Sequence, residues 1–268
     1  MGSGRSGLGR LSASDIGARE NTDAYSKFTI LAKSKMQSKT SSTSQRALKR
    51  DLADEFVKDT GINTDDFVVN SRMSVEDLGK TYDAILKANE FVQVDGLKVL
   101  TSSDASVLAR CGANELQINV SYFRDVNALN DTLQMDGRVV PGPIETTFVH
   151  ELAHQYVYET IQKIFTSPMD RTNAWFNLNT YTPQSKQSLA EVWNTPWITQ
   201  QIEAAYKTIH SGNFNKSDMM REIGKISPYA TKSYHETVAE SFADVYTNGE
   251  RAAPMAKAVV KHFRNLNK

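Results

Sequence analysis

Thr147-Phe148-Val149-His150-Glu151-Leu152-Ala153-His154-Gln155-Tyr156-Val157-Tyr158 holds two histidines four residues apart, with a glutamate directly after the first. The spacing of Phe148, Val149, Leu152 and Ala153, uninterrupted by Pro or Gly, predicts a helix packed in a core. On a helix, positions i and i+4 share one face about a turn apart. Two imidazoles so placed can grip one tetrahedral metal ion, and Glu151 can take a proton from water bound to it. By average composition the pattern arises by chance in on the order of one chain in a hundred of this length. A third ligand is therefore required before the motif carries weight.

Three patterns would complete the set. Extension of the motif as x-x-Gly-x-x-His fails, because Val157 and Thr160 occupy those positions. A Gly-Thr-x-Asp loop does not follow. The third pattern, a glutamate on a second helix with an acidic residue one turn later, is present. Residues 226–246 include Tyr229, Glu236, Ala239, Glu240, Phe242, Ala243 and Asp244. Glu236 and Glu240 share a helical face. Glu236 completes a His2Glu site with one position left for water, and Glu240 can accept the second ring N–H of a ligand histidine. Zinc suits this nitrogen and oxygen donor set better than magnesium or calcium.

These residues together resemble the gluzincin metallopeptidase domain of the anthrax lethal factor type, related domains of which occur in bacterial toxins and some phage virion proteins. The matching positions are His150, Glu151, His154, Tyr229, Glu236 and Glu240. The resemblance implies that Tyr229 sits at the metal and assists catalysis by stabilising the developing oxyanion or donating a proton. It also implies that Ala113–Val120 is the strand bordering the cleft, with Leu116 and Ile118 on an edge that pairs with extended substrate. It spans roughly residues 74–250, with specific motifs near 113–124, 147–158 and 227–246. The segment from Gln155 to His235 is longer and richer in aromatics than that type, so pocket shape does not carry over.

The expected fold class is α+β: a mostly helical zincin-like domain with a small sheet beside the zinc helix. The expected activity is zinc-dependent hydrolysis of peptide bonds through a zinc-activated water, with Glu151 as general base and one Zn2+ per chain. The alternative is a structural or interaction protein, such as a virion or toxin-associated component that keeps this fold for shape.

The rest of the chain sets bounds. Its 268 residues are 40% hydrophobic and 23% charged, ordinary for a globular protein. Lysine plus arginine equals aspartate plus glutamate at 31 each, so net charge argues for no nucleic-acid partner. The single cysteine, Cys111, excludes an intrachain disulfide and reads as a small buried hydrophobe. No apolar run approaches a membrane span. The basic N-terminus lacks a following hydrophobic region and does not read as a secretory signal; cytoplasm or the interior of a phage particle are both compatible.

Residues 1–43 are rich in Gly, Ser, Thr and Lys and read as an extended basic arm, apolar only at Phe28–Ala32, that can order against an assembly partner. Residues 44–268 read as the metallopeptidase domain: a helical part over 44–92, a catalytic core over 93–250 and a C-terminal helix over 251–268. Within it, helices are predicted over 44–60, closed by Gly61, and from Val75, capped by Ser74. Strands are predicted at 97–100 and 115–120, and a turn-rich loop over 125–145. The zinc helix is predicted to run to about Phe165. Helical stretches are predicted at 189–193 and 198–209. His235 adjoins Glu236 but points about 100° away from it on a helix, and reads as a residue behind the site or at the surface.

Overall fold

The computed structural model describes residues 27–37, 42–64, 72–102, 107–112, 114–177 and 189–268. Two helices lead the described chain, α1 over Lys27–Gln37 and α2 over Ser42–Thr60. α1 corrects the expected extended arm. Phe28, Thr29 and Ala32 lie on one helical face and are buried in the core. That stripe is only one turn long and sits in a polar, glycine-rich surround, so composition outweighs it in a sequence reading. Residues 1–26 and 38–41 of the arm lie outside the described residues.

Helix α3 runs over Val75–Val92. The hydroxyl of Ser74 accepts from the Asp77 N–H, and Glu76 and Asp77 occupy the first turn, where the helix dipole favours acid. Gly79 faces α1: a Cβ there would lie 2.8 Å from both the Ala32 Cβ and the Phe28 carbonyl oxygen. The two backbones approach closely because Gly79 has no side chain. Phe28, Phe56 and Tyr82 tie the three helices together. Phe56 stacks on Tyr82 at 4.3 Å between ring centroids, and Phe28 meets Phe56 edge-on at 5.2 Å.

Three short strands follow: β1 over Lys98–Thr101, β2 over Ala109–Gly112 and β3 over Glu115–Ile118. Their spatial order is β1-β3-β2, with β1 parallel and β2 antiparallel to β3. This corrects the edge-strand expectation. β3 is central, and Leu116 and Ile118 are both fully buried. The chain reverses at Asn114, whose φ is 59°, so β2 folds back along one side of β3 while β1 occupies the other. The alternation of Leu116 and Ile118 marks a core-facing side, not a substrate contact. Ala113 lies outside the described residues.

The predicted loop over 125–145 contains helix α4, Val126–Met135, capped by Asp125, whose carboxylate accepts from the Ala128 N–H. Val126, Leu129 and Leu133 are its apolar stripe, too short to stand out among Asn and Asp. The 21-residue helix α5, Ile144–Ile164, then crosses the centre of the molecule. Phe148, Val149, Leu152, Ala153, Val157 and Ile161 along it are fully buried, as expected of a helix covered on several sides. α6 (Pro168–Trp175), α7 (Leu189–Trp193), α8 (Pro196–Ile209) and α9 (Lys216–Gly224) lead to a 3-10 turn at Tyr229–Thr231. α10 (Tyr234–Asn248) packs across α5, and α11 (Pro254–Leu266) packs on α10 and α8. The architecture is mostly helical α+β. Among the described residues, no helix is long and apolar enough to cross a membrane.

The sign of one substitution tests the α1–α3 contact. Ala in place of Gly79 gains about 0.5–1 kcal/mol of helix propensity, but overpacking against Ala32 and Phe28 costs about 1–3 kcal/mol. Gly79→Ala is expected to lower the urea midpoint; a rise would show that α1 does not pack there.

Candidate metal centre

α5 and α10 bring the ionisable residues together. His150 and His154 project from α5 at i and i+4, and Glu236 stands in the first turn of α10, where the Ser233 hydroxyl caps the helix by accepting from the Glu236 N–H. The Nε2 atoms of His150 and His154 lie 3.2 and 3.4 Å from Glu236 Oε2. All three candidate ligand atoms fall within 4.8 Å of one another. In a tetrahedral zinc site with bonds of about 2.0–2.1 Å, neighbouring ligand atoms lie about 3.3–3.4 Å apart. Glu236 Oε2 is buried and makes no hydrogen bond of its own. A cation between these atoms would satisfy it, so the cluster fits one metal ion.

Glu240, one turn further along α10, is buried and fully engaged. Its Oε1 lies 2.6 Å from His150 Nδ1, and its Oε2 accepts from the Val140 N–H at 2.8 Å. A carboxylate can only accept, so a neutral His150 ring carries its hydrogen on Nδ1 and turns its Nε2 lone pair to the cluster. The Tyr229 ring lies 6.1 Å from the His150 ring, centroid to centroid, and its N–H donates to the Arg138 carbonyl.

A second stripe on α5 was not singled out by the sequence reading. Glu151, Gln155 and Glu159 follow one another at four-residue spacing, and all three hold the sheet region. Glu151 Oε2 accepts from the Cys111 N–H in β2 at 2.9 Å. Gln155 Oε1 accepts from the Asn114 N–H at 2.8 Å, while its Nε2 donates to Asn114 Oδ1 and to Glu159 Oε1. Glu159 Oε1 also accepts from the Asp95 N–H. The available signal was the persistence of polar residues at one helical spacing through an apolar helix. Glu151 therefore stands beside the metal cluster with one oxygen held against β2. Among the described residues β2 has no strand on its other side.

The electrostatics follow from packing three carboxylates around two imidazoles. Burial works to lower the His150 pKa, but the facing Glu236 and Glu240 outweigh it and the net shift is well upward. Burial works to raise the Glu236 pKa, and the neighbouring His154 and His150 bring it down instead. Glu151 is shifted upward by burial, assisted by Glu236 and opposed by both histidines and the Cys111 N–H. Burial, with Glu236, Glu151 and Glu240, pushes the Tyr229 phenol up to about 12, so it keeps its proton at neutral pH. A bound dication would take the place of the proton on His150 Nε2 and leave that ring as a neutral ligand.

Two other residues are placed by the fold. His235 is buried, its ring packed edge-on against Trp175 and Trp193 at 4.8 and 5.3 Å. Burial, then the neighbouring His154, pulls its pKa down to about 3. It stands behind the site in an aromatic cluster of the segment between α5 and α10 and is not among the candidate ligands. The Cys111 thiol is pushed well up by burial and by Glu151, the opposite of what a reactive thiolate needs.

Comparison of the chain with protein-family models, with curated proteins and with solved structures found no match.

Two substitutions probe this arrangement. Glu240→Gln should weaken binding of added Zn2+ by about 10–100-fold in chelator competition, as loss of an outer partner of a ligand histidine does; an unchanged affinity would exclude Glu240 from orienting His150. Gln155→Ala leaves the Asn114 amide without its acceptor and should cost about 1–3 kcal/mol, with faster hydrogen exchange at Asn114 as the local readout.

Proposed function

We propose that this protein is a zinc-dependent metallopeptidase, of the gluzincin type that its motifs resemble. The observation that carries the reading is the convergence of His150, His154 and Glu236, contributed by two crossing helices, with Glu151 beside them. Two imidazole nitrogens and one carboxylate oxygen form a donor set that favours zinc over magnesium or calcium. Zinc, when bound, supplies Lewis acidity that brings the pKa of a coordinated water down to about 7 and polarises a carbonyl.

The chain's own residues supply the remaining chemistry. Glu151, its Oε2 oriented by the Cys111 N–H, accepts the proton of the attacking water and returns it to the leaving amine nitrogen. Tyr229, a phenol at neutral pH, donates a hydrogen bond to the carbonyl oxygen as negative charge develops on it. Glu240 keeps His150 in the tautomer that presents Nε2. Among the described residues β2, whose Cys111 N–H meets Glu151, has no strand on its outer side, and an extended peptide pairs there in place of the central β3.

Protein purified without chelator should contain close to one zinc per chain, and His154→Ala should lose it. Glu151→Gln should keep the zinc while cleavage of a peptide library falls by about 10²–10⁴-fold. Undiminished cleavage in Glu151→Gln removes the general-base role. Bound zinc with no cleavage by the wild type favours the assembly component that keeps this fold for shape.

A further inference from the structure

We propose that the cleft leading away from the metal centre selects a substrate carboxylate, which Lys232 receives; this rests on the peptidase reading above. A recess of about 220 Å³ lies against His150, Glu151 and Tyr229. A basin of about 640 Å³ lies further out. The two share Asp136, Val139 and Tyr229 in their walls and so adjoin one another. The inner recess is walled by aliphatic side chains, Leu108, Leu133, Val139 and Val140. The outer basin has a largely apolar surface that includes Val139, Pro228 and Tyr229, with charged side chains at Asp136, Arg138 and Lys232 on its rim.

The basin is held in a set position relative to the metal cluster. Its two rims, residues 136–140 and 228–232, are joined by the hydrogen bond from the Tyr229 N–H to the Arg138 carbonyl oxygen. The first rim is also fastened to the centre, because the Val140 N–H donates to the same Glu240 carboxylate that grips His150. A group bound in the basin is thus at a defined distance from the reacting bond.

The charges in the basin do not cancel. Arg138 Nε and Nη2 donate to the two oxygens of Asp136 at 3.0 and 2.9 Å, and that pair is neutral as a unit. The Thr231 hydroxyl donates to the Pro228 carbonyl oxygen. Lys232 is exposed, its N–H donates to the Tyr229 carbonyl oxygen, and its ammonium has no ion-pair partner among the described residues. One positive charge is left over, and a carboxylate is the peptide group that complements it. An acidic side chain and the free C-terminus of a peptide both present that chemistry. An exposed ion pair of about 0.2–1 kcal/mol corresponds to a preference of about 1.4- to fivefold.

The test uses the zinc-loaded full chain and peptides scanned with Glu, Gln or Lys at each position around the cleaved bond, each with a free or an amidated C-terminus. For the wild type, kcat/KM should favour Glu over Gln by about 1.4- to fivefold at one position, or acid over amide at the terminus; which of the two identifies the source of the carboxylate. The preference should fade at high salt. Lys232→Gln should abolish it, and Lys232→Glu should reverse it toward Lys, each ratio being taken between charged and neutral peptides cleaved by the same variant. A wild type that ignores the carboxylate, or a preference that survives Lys232→Glu, overturns the proposal. Should the wild type cleave nothing, the peptidase reading fails on its own. Binding of the same peptides to the zinc-loaded protein then decides: a carboxylate preference lost in Lys232→Glu supports the basin, whereas indifferent or absent binding overturns it.

Discussion

Glu236 and Glu240 are buried one helical turn apart on α10, opposite the histidines of α5, and the surrounding structure answers to that concentration of charge. A buried carboxylate costs several kcal/mol unless its charge and lone pairs are matched. Glu240 is matched by two donors, the His150 ring and the Val140 amide. Glu236 is matched only by the electrostatic pull of the two imidazoles, and its Oε2 has no hydrogen bond. The protein thus leaves one acceptor open at the point where two ring nitrogens converge. A cation there turns a costly cluster into a bound site, which is the physical basis for reading metal binding from this geometry.

Helix α5 carries three tasks on three faces. The face with His150 and His154 meets α10. The next, about 100° round the axis, carries Glu151, Gln155 and Glu159 to the sheet region. The remainder is apolar and buried against α3 and the core. Two consequences follow. Glu151 and His150 move as one body, because they are adjacent on a rigid helix. The sheet, only three strands of four residues each, is also held by side-chain hydrogen bonds from α5 in addition to its own ladder.

Local signals in the chain placed most helix ends. Ser74, Gly61 at φ 70°, Pro143 and the Ser167-Pro168 pair all act at the boundaries where their chemistry points. The sequence reading went astray where a short apolar stripe lies in polar surroundings, at α1 and α4, and where the answer depends on a distant partner. Leu116 and Ile118 alternate as an edge strand does, but alternation is silent about how many neighbours a strand has. The segment between α5 and α10 was legible as aromatic-rich, yet nothing in its composition showed that Trp175 and Trp193 enclose His235.

The amino-acid sequence by itself determined the relations that helix geometry imposes within about one turn. His150 and His154 share a face, Glu236 and Glu240 share another, and Glu151 stands beside the first pair. These follow from 3.6 residues per turn and need no knowledge of the rest of the chain. Only the tertiary structure decided which oxygen of Glu236 meets which nitrogens, that Val140 reaches Glu240 across 100 residues of sequence, and that β3 is central while β2, beside Glu151, has a strand on one side only among the described residues. Those contacts join segments far apart in the chain. Their geometry is set by how whole helices and strands pack, which no local period encodes.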